Sequence, residues 1–196
     1  MGDICYLVSP YIIHSHMKHL TFILVIQVCV LMFGSLIFAQ QETREFEHRE
    51  TGDVLPWTGK PFYNNPDHFQ FVIVSDRTGG MRPGVFARAV EKINQLYPEF
   101  VISVGDLIEG YSHDASQVDS EWSEFYDILD PLAFRFFYVA GNHDYSNEMM
   151  AGQWKERYGK DYYHFCYKNV LFLILNTSDG EGETLSSHQV EYVSRV

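Results

Sequence analysis

Three short apolar runs each stop at a small residue followed by a polar, metal-capable side chain, and helical stretches separate them. Phe69–Val74 runs into Ser75-Asp76, Phe100–Val104 into Gly105-Asp106, and Phe134–Ala140 into Gly141-Asn142-His143-Asp144. Such runs, rich in β-branched and aromatic residues, read as strands buried on both faces. Between the first two, Phe86, Ala89/Val90, Ile93 and Leu96/Tyr97 recur at helical spacing over 84–97, and Pro98 stops that helix. Between the second and third, Val118, Trp122, Phe125/Tyr126 and Leu129 mark another helix, closed by Asp130-Pro131. A helix over 147–158 follows, then two strands near 162–167 and 170–176, with Lys168-Asn169 as the two-residue turn of a hairpin. A last helix begins near Leu185. Strand–helix–strand alternation of this kind builds an α/β sheet covered on both faces.

The chain has 196 residues, which allows one domain and little more. With 46% apolar and 20% charged residues it has an ordinary globular composition, and its 16% aromatic content can fill a sizeable core. The formal net charge is −12, so the chain lacks the basic surface that nucleic-acid binding demands. No internal repeat or low-complexity tract interrupts it.

Leu20–Ala39 carries no charge and follows Lys18-His19. A basic start before an apolar run is the pattern of an export signal, with Ala39 as the small residue at the cleavage point. A run of about 20 apolar residues also suffices to cross a bilayer as an uncleaved anchor. Either way, residues 1–39 are a signal peptide or N-terminal membrane anchor, and the rest is expected to be exported: secreted, periplasmic or membrane-anchored. Met17 makes a more natural start for such a segment than Met1.

Residues 40–67 hold Gly52, Pro56, Gly59, Pro61, Asn64, Asn65 and Pro66, and read as a polar linker or lead-in loop. The folded domain is expected over 68–196. Loss of residues 1–39 leaves Cys166 alone, so no internal disulfide is expected, and its apolar surroundings read as a small core residue.

Sites in open α/β sheets form outside the carboxyl ends of the strands. Asp76, Asp106 and Asn142-His143-Asp144 would all reach that one rim. Taken singly, each has a plainer reading: an Asp after a strand often caps a helix or forms a turn, and Asn and Asp both suit turns. Repetition at three strand ends favours a shared site.

On these motifs the chain resembles the calcineurin-like metallophosphoesterases over roughly residues 69–196. Gly105-Asp106 followed 36 residues later by Gly141-Asn142-His143-Asp144 carries most of the resemblance. It implies a layered α/β/β/α-type fold with helices outside, incomplete at the C-terminus. It also implies a site with two divalent metal ions (Mn, Fe or Zn). Asp106 would match the carboxylate bridging both metals, Asp76 the first-motif aspartate on one, and Asn142 the amide ligand of the other. His143 would match the histidine that meets the leaving-group oxygen or the phosphate. Two such ions clamp attacking and leaving oxygens and acidify a bound water, while an imidazole can hand a proton to the departing alkoxide. Glu109 or Asp144 is a candidate to orient His143. The implied partner is a phosphate-ester small molecule or a phosphorylated substrate; nucleic acid is not expected, and a membrane only through an uncleaved N-terminal segment.

Two departures from the family pattern stand out. The usual first motif is Asp-x-His, and here it reads Asp76-Arg77-Thr78, with Met81 slightly further on. A hydroxyl and a thioether both serve hard cations poorly. The family's later Gly-His-x-His motif is also missing, and neither His164 nor His188 matches it. His164 reads as a strand-face residue and His188 as a solvated helix residue. The chain therefore reads as the N-terminal portion of a longer phosphoesterase, with little turnover expected from it alone. The alternative is a non-catalytic extracellular binding module that keeps the phosphoesterase framework. A dinucleotide-binding protein ranks last, because no G-x-G-x-x-G follows the first strand. The Tyr111–Asp119 stretch reads as a solvated connection that could also line the pocket.

Overall fold

A computed structural model describes residues 45–65, 68–179 and 184–196, with Gln27 alone before them. The expected signal or anchor at 1–39 lies outside the described residues, Gln27 apart. Chain contacts divide Met1–Glu45 from Phe46–Val196, and the second of these units holds all the strands and helices named here.

In chain order the elements are β1 (Phe46–His48), β2 (Phe71–Val74), α1 (Val85–Leu96), β3 (Phe100–Ser103), α2 (Ala115–Leu129) and β4 (Arg135–Phe137). Then come α3 (Glu148–Tyr158), β5 (Tyr163–Tyr167), β6 (Val170–Ile174) and α4 (Ser187–Val193). β2, β3 and β4 form a parallel sheet in that order. β1, β5 and β6 form an antiparallel sheet with β5 in the middle.

Successive residues of a strand point to opposite faces, and here each face has its own core. Val101 and Phe136 pack with Val90 and Ile93 of α1, Trp122 and Phe125 of α2, and Trp154 and Tyr158 of α3. Phe100, Ile102 and Phe137 turn the other way, onto Tyr163, Phe165 and Tyr167 of the antiparallel sheet. Phe137 stacks on Phe165 with ring centroids 4.1 Å apart, and Phe165 on Phe172 at 4.8 Å. The parallel sheet thus lies between helices and a second sheet. Outside that second sheet α4 makes polar contacts, with the His164 ring meeting the Tyr192 hydroxyl and Gln189 bonding the Asn176 backbone. The result is a mixed α/β architecture in layers, as the sequence led one to expect. Each large aromatic buried in these layers contributes about 1.5–3 kcal/mol.

The helices follow from spacing and caps. On α2 the buried set is Val118, Trp122, Phe125 and Leu129, one stripe of an amphipathic helix. Asp114 caps it by accepting from the amides of Ser116 and Gln117, so this residue of the 111–119 stretch has a structural task. α1 ends at Tyr97 in a left-handed conformation (φ 50°), one residue before Pro98. Lys168 and Asn169 both have positive φ, as the tight turn between β5 and β6 requires.

Two expectations need correction. The 40–67 segment is not a loose lead-in where it is described. Phe46–His48 pairs with β5, and Trp57 bridges Phe137 at the edge of β4. Trp57 and Phe62 are buried between the sheets, and Glu99 receives the amides of Asn64 and Asn65. Turn-forming residues shape this path, but its aromatics anchor it. Cys166 is a free thiol and only half-buried. On β5 the inward positions are Tyr163, Phe165 and Tyr167, which leaves His164 and Cys166 on the other face.

Candidate functional site

β2, β3 and β4 run parallel, so the chain leaves all three at one edge. There the backbone bends sharply. Asp76 (φ 50°), Asp106 (φ 57°) and Tyr111 (φ 49°) all take the left-handed conformation that few non-glycine residues adopt, and such strain gathers at functional sites. Gly105 makes the crossing of two of these loops possible. A Cβ there would lie 2.4 Å from the Gly141 Cα.

Asp144 ties the loops together. Its side chain is buried, and each carboxylate oxygen accepts two backbone amides. Oδ2 takes those of Asp106 (2.8 Å) and Gly141 (2.9 Å); Oδ1 takes those of Leu107 (2.8 Å) and Ile108 (3.1 Å). Burial pushes this carboxyl up to about 7, against the pull of the Gly141, Ile108 and Leu107 amides, while the Asp106 charge adds to the rise. Asp144 therefore acts as a brace, and it does not orient the His143 ring.

That ring is held from the Glu109–Tyr111 loop. His143 Nδ1 lies 2.6 Å from the backbone carbonyl oxygen of Glu109. A carbonyl only accepts, so Nδ1 carries the hydrogen and Nε2 is left as the free nitrogen of the neutral ring. Glu109 thus orients His143 through its main chain. Gly110 presses against the His143 backbone, where a Cβ would fall 1.8 Å from the carbonyl oxygen. The Tyr111 ring meets the imidazole edge-on, centroids 4.8 Å apart at 78°. Nε2 faces the first loop, since a Cβ on Gly79 would stand 3.4 Å from it.

Asp106 Oδ1 accepts the His143 amide at 3.1 Å, and Asn142 Nδ2 donates to the Tyr111 hydroxyl at 2.7 Å. Asp106 and His143 are therefore tied to each other, and Asn142 beside them is tied to Tyr111. Asp76 stands exposed at the end of β2, where it lines a cleft of about 530 Å³ shared with Glu124 and Ile128 of α2.

The Asp76-Arg77-Thr78 variant has a structural account. Arg77 is buried, donates to the Leu107 carbonyl at 2.9 Å and pairs with Glu124. Thr78 Oγ1 lies 2.7 Å from the Ile108 carbonyl and 3.0 Å from that of Asp106. Both side chains lash the first loop to the second. Met81 is exposed, His188 is exposed at the surface, and His164 is a strand-face residue with its Nδ1 on Tyr192.

Asp76, Asp106 and Asn142 offer oxygen donors, the type that hard divalent cations prefer. Their number is short of a two-ion centre. Among the described residues no three His, Cys, Asp or Glu side chains come together as a metal-holding group.

Sequence reasoning named Glu109 as a candidate to orient His143 and the Tyr111–Asp119 stretch as one that could line the pocket; it missed the brace formed by Asp144 and the grip of Gly110. The signal for Asp144 was its place in the Gly141–Asp144 motif; the grip of Gly110 depends on how a loop folds back across space.

Layered sheets with polar groups gathered at the carboxyl ends of parallel strands define an α/β protein built around a strand-end site. The sequence matches the family model for calcineurin-like phosphoesterase over residues 51–193, and the chain belongs to that family. It is similar to the serine/threonine-protein phosphatase CPPED1 of Danio rerio, 29% identical over 124 residues, covering 56% of this chain and 39% of that protein. The chain thus spans well under half the length of this curated relative. No solved structure matches it. Family membership and the relative together support a phosphoesterase-type function.

Proposed function

We propose that the rim formed by Asp76, Asp106, Asn142 and His143 is the metal-dependent site of an exported phosphoesterase, which hydrolyses a phosphate mono- or diester. The observation that carries this reading is the bond from the His143 amide to Asp106 Oδ1, which puts an oriented imidazole beside a strand-end carboxylate. Asp106 and Asn142, with Asp76, would hold divalent metal (Mn, Fe or Zn). Bound metal supplies charge that polarises a phosphoryl group and acidifies water. The chain's own residues do the rest. The Glu109 carbonyl fixes the His143 ring through Nδ1, which leaves Nε2, on the side of the Gly79 loop, to hold a proton for an oxygen leaving the phosphorus. Asp144 keeps the Asp106 and Gly141 backbones in register, so that the carboxylate and imidazole share one rim.

Titration of Mn²⁺ into the chain, followed by electron paramagnetic resonance, tests this together with hydrolysis of p-nitrophenyl phosphate and bis(p-nitrophenyl) phosphate. Asp106→Asn is expected to weaken Mn²⁺ binding at least about tenfold and to lower hydrolysis in step. Hydrolysis indifferent to Mn²⁺ and to Asp106→Asn would overturn it.

One observation favours a second reading, a non-catalytic binding module on the same framework. The Thr78 hydroxyl, at the family's usual histidine position, is committed to backbone carbonyls. On that reading binding of the natural partner survives Asp106→Asn.

A further inference from the structure

We infer that Tyr111 is a substrate-binding residue of this rim, donating its phenolic hydrogen to a phosphate oxygen beside His143; the inference rests on the phosphoesterase reading above. Three observations converge on it. Tyr111 is 60% exposed, although a ring of this size beside two packed loops could have been buried. It holds a left-handed backbone conformation (φ 49°) that costs an ordinary residue about 1 kcal/mol or more. Its side chain is nonetheless placed by its neighbours. The ring stands edge-on to His143, and the hydroxyl oxygen accepts from Asn142 Nδ2 at 2.7 Å.

The hydrogen-bond count points to a ligand. A tyrosine hydroxyl has one hydrogen to give and lone pairs to receive with. Asn142 uses the acceptor side, so the hydrogen is directed elsewhere. With Asn142 Nδ2 turned to Tyr111, the Asn142 carbonyl oxygen is the part of the amide presented away from the phenol. Tyr111 therefore sets which end of the amide faces the rim and adds a donor of its own next to the imidazole. A phosphate oxygen is the acceptor such a donor suits, because a hydrogen bond to a charged group is about twice as strong as a neutral one.

The test compares the whole chain with Tyr111→Phe, which keeps the ring edge on His143 and removes only the hydroxyl. Inorganic phosphate is titrated in the presence of Mn²⁺ and followed by calorimetry, Mn²⁺ affinity is measured separately, and thermal unfolding checks the fold. Phosphate binding is expected to weaken about tenfold in Tyr111→Phe at unchanged Mn²⁺ affinity, with Tyr111→Ala no better. Equal phosphate affinity in the two proteins overturns the inference and leaves the phosphoesterase reading standing. Weaker phosphate binding that only follows weaker Mn²⁺ binding also overturns it, because Tyr111 would then act through Asn142 alone. Wild-type protein that binds neither Mn²⁺ nor phosphate overturns both.

Discussion

The Asp144 carboxylate accepts the Asp106 amide at 2.8 Å, so the residue that closes the third strand-end motif holds in place the residue that closes the second. Three more amides share that carboxylate, and together they bind the β3 and β4 exits into one unit. An amide side chain cannot replace it. In Asp144→Asn the NH2 group must face two backbone N–H groups whichever way it is turned. Stranding buried donors against that NH2 group costs about 3 kcal/mol. For a domain of this size, thermal unfolding should shift down by roughly 10 °C. An unchanged midpoint would show that the brace contributes nothing.

Gly110 has φ 63°, and a Cβ there would meet the His143 carbonyl oxygen at 1.8 Å. Gly110→Ala must therefore push the Glu109–Tyr111 loop away from His143. Denaturant unfolding should show a loss of about 2 kcal/mol or more, since both conformation and contact are violated. The His143 ring resonances should also shift, because the carbonyl partner at Nδ1 moves with the loop.

Trp57 is buried between the two sheets, in contact with Phe46, Phe137 and Tyr163. If the segment ahead of β2 is part of the fold, Trp57→Ala costs about 3–5 kcal/mol in urea unfolding. A mere tether would tolerate the change within about 0.5 kcal/mol.

The His164 ring resists protonation. Its partial burial, helped by the charge of Arg49 and opposed by that of Glu50, lowers its pKa below the ordinary histidine value. The unfolded chain then takes up a proton before the native one does. The neutral ring's contribution is whole above the ordinary histidine range and is lost as pH falls through that range toward the lower native value. His164→Gln removes this linkage. The melting-temperature difference between wild type and variant should shrink or reverse between about pH 7.5 and about pH 5.5. A difference constant with pH would contradict the argument.

Much of the fold is legible in the sequence because the relevant physics is local. Phe100-Val101-Ile102 is apolar on both faces, and the structure covers both; Val118, Trp122, Phe125 and Leu129 lie one helical turn apart, and all four are buried. Pro98 and Lys168-Asn169 mark breaks that only certain backbones permit. Trp57 and Phe62 were hidden among turn formers, and their burial depends on a groove built by residues far along the chain. Asp106, Asn142 and His143 could be singled out because each follows a strand. Tyr111 could be placed only on a stretch able to line the pocket, because its bond with Asn142 depends on a loop crossing to a residue 31 positions away. Thr78 looked like a defective ligand and is a strut between loops.

The central claim is that this strand-end rim handles phosphate esters through His143. Its most direct test is the hydrolysis of p-nitrophenyl phosphate with Mn²⁺ by the whole natural protein that carries this segment, wild type against His143→Ala, read as kcat and KM separately. A general acid typically contributes about 10²–10⁴-fold, so kcat should fall at least about a hundredfold while KM changes little. Equal kcat in the two proteins, at matched Mn²⁺ occupancy, would contradict the account.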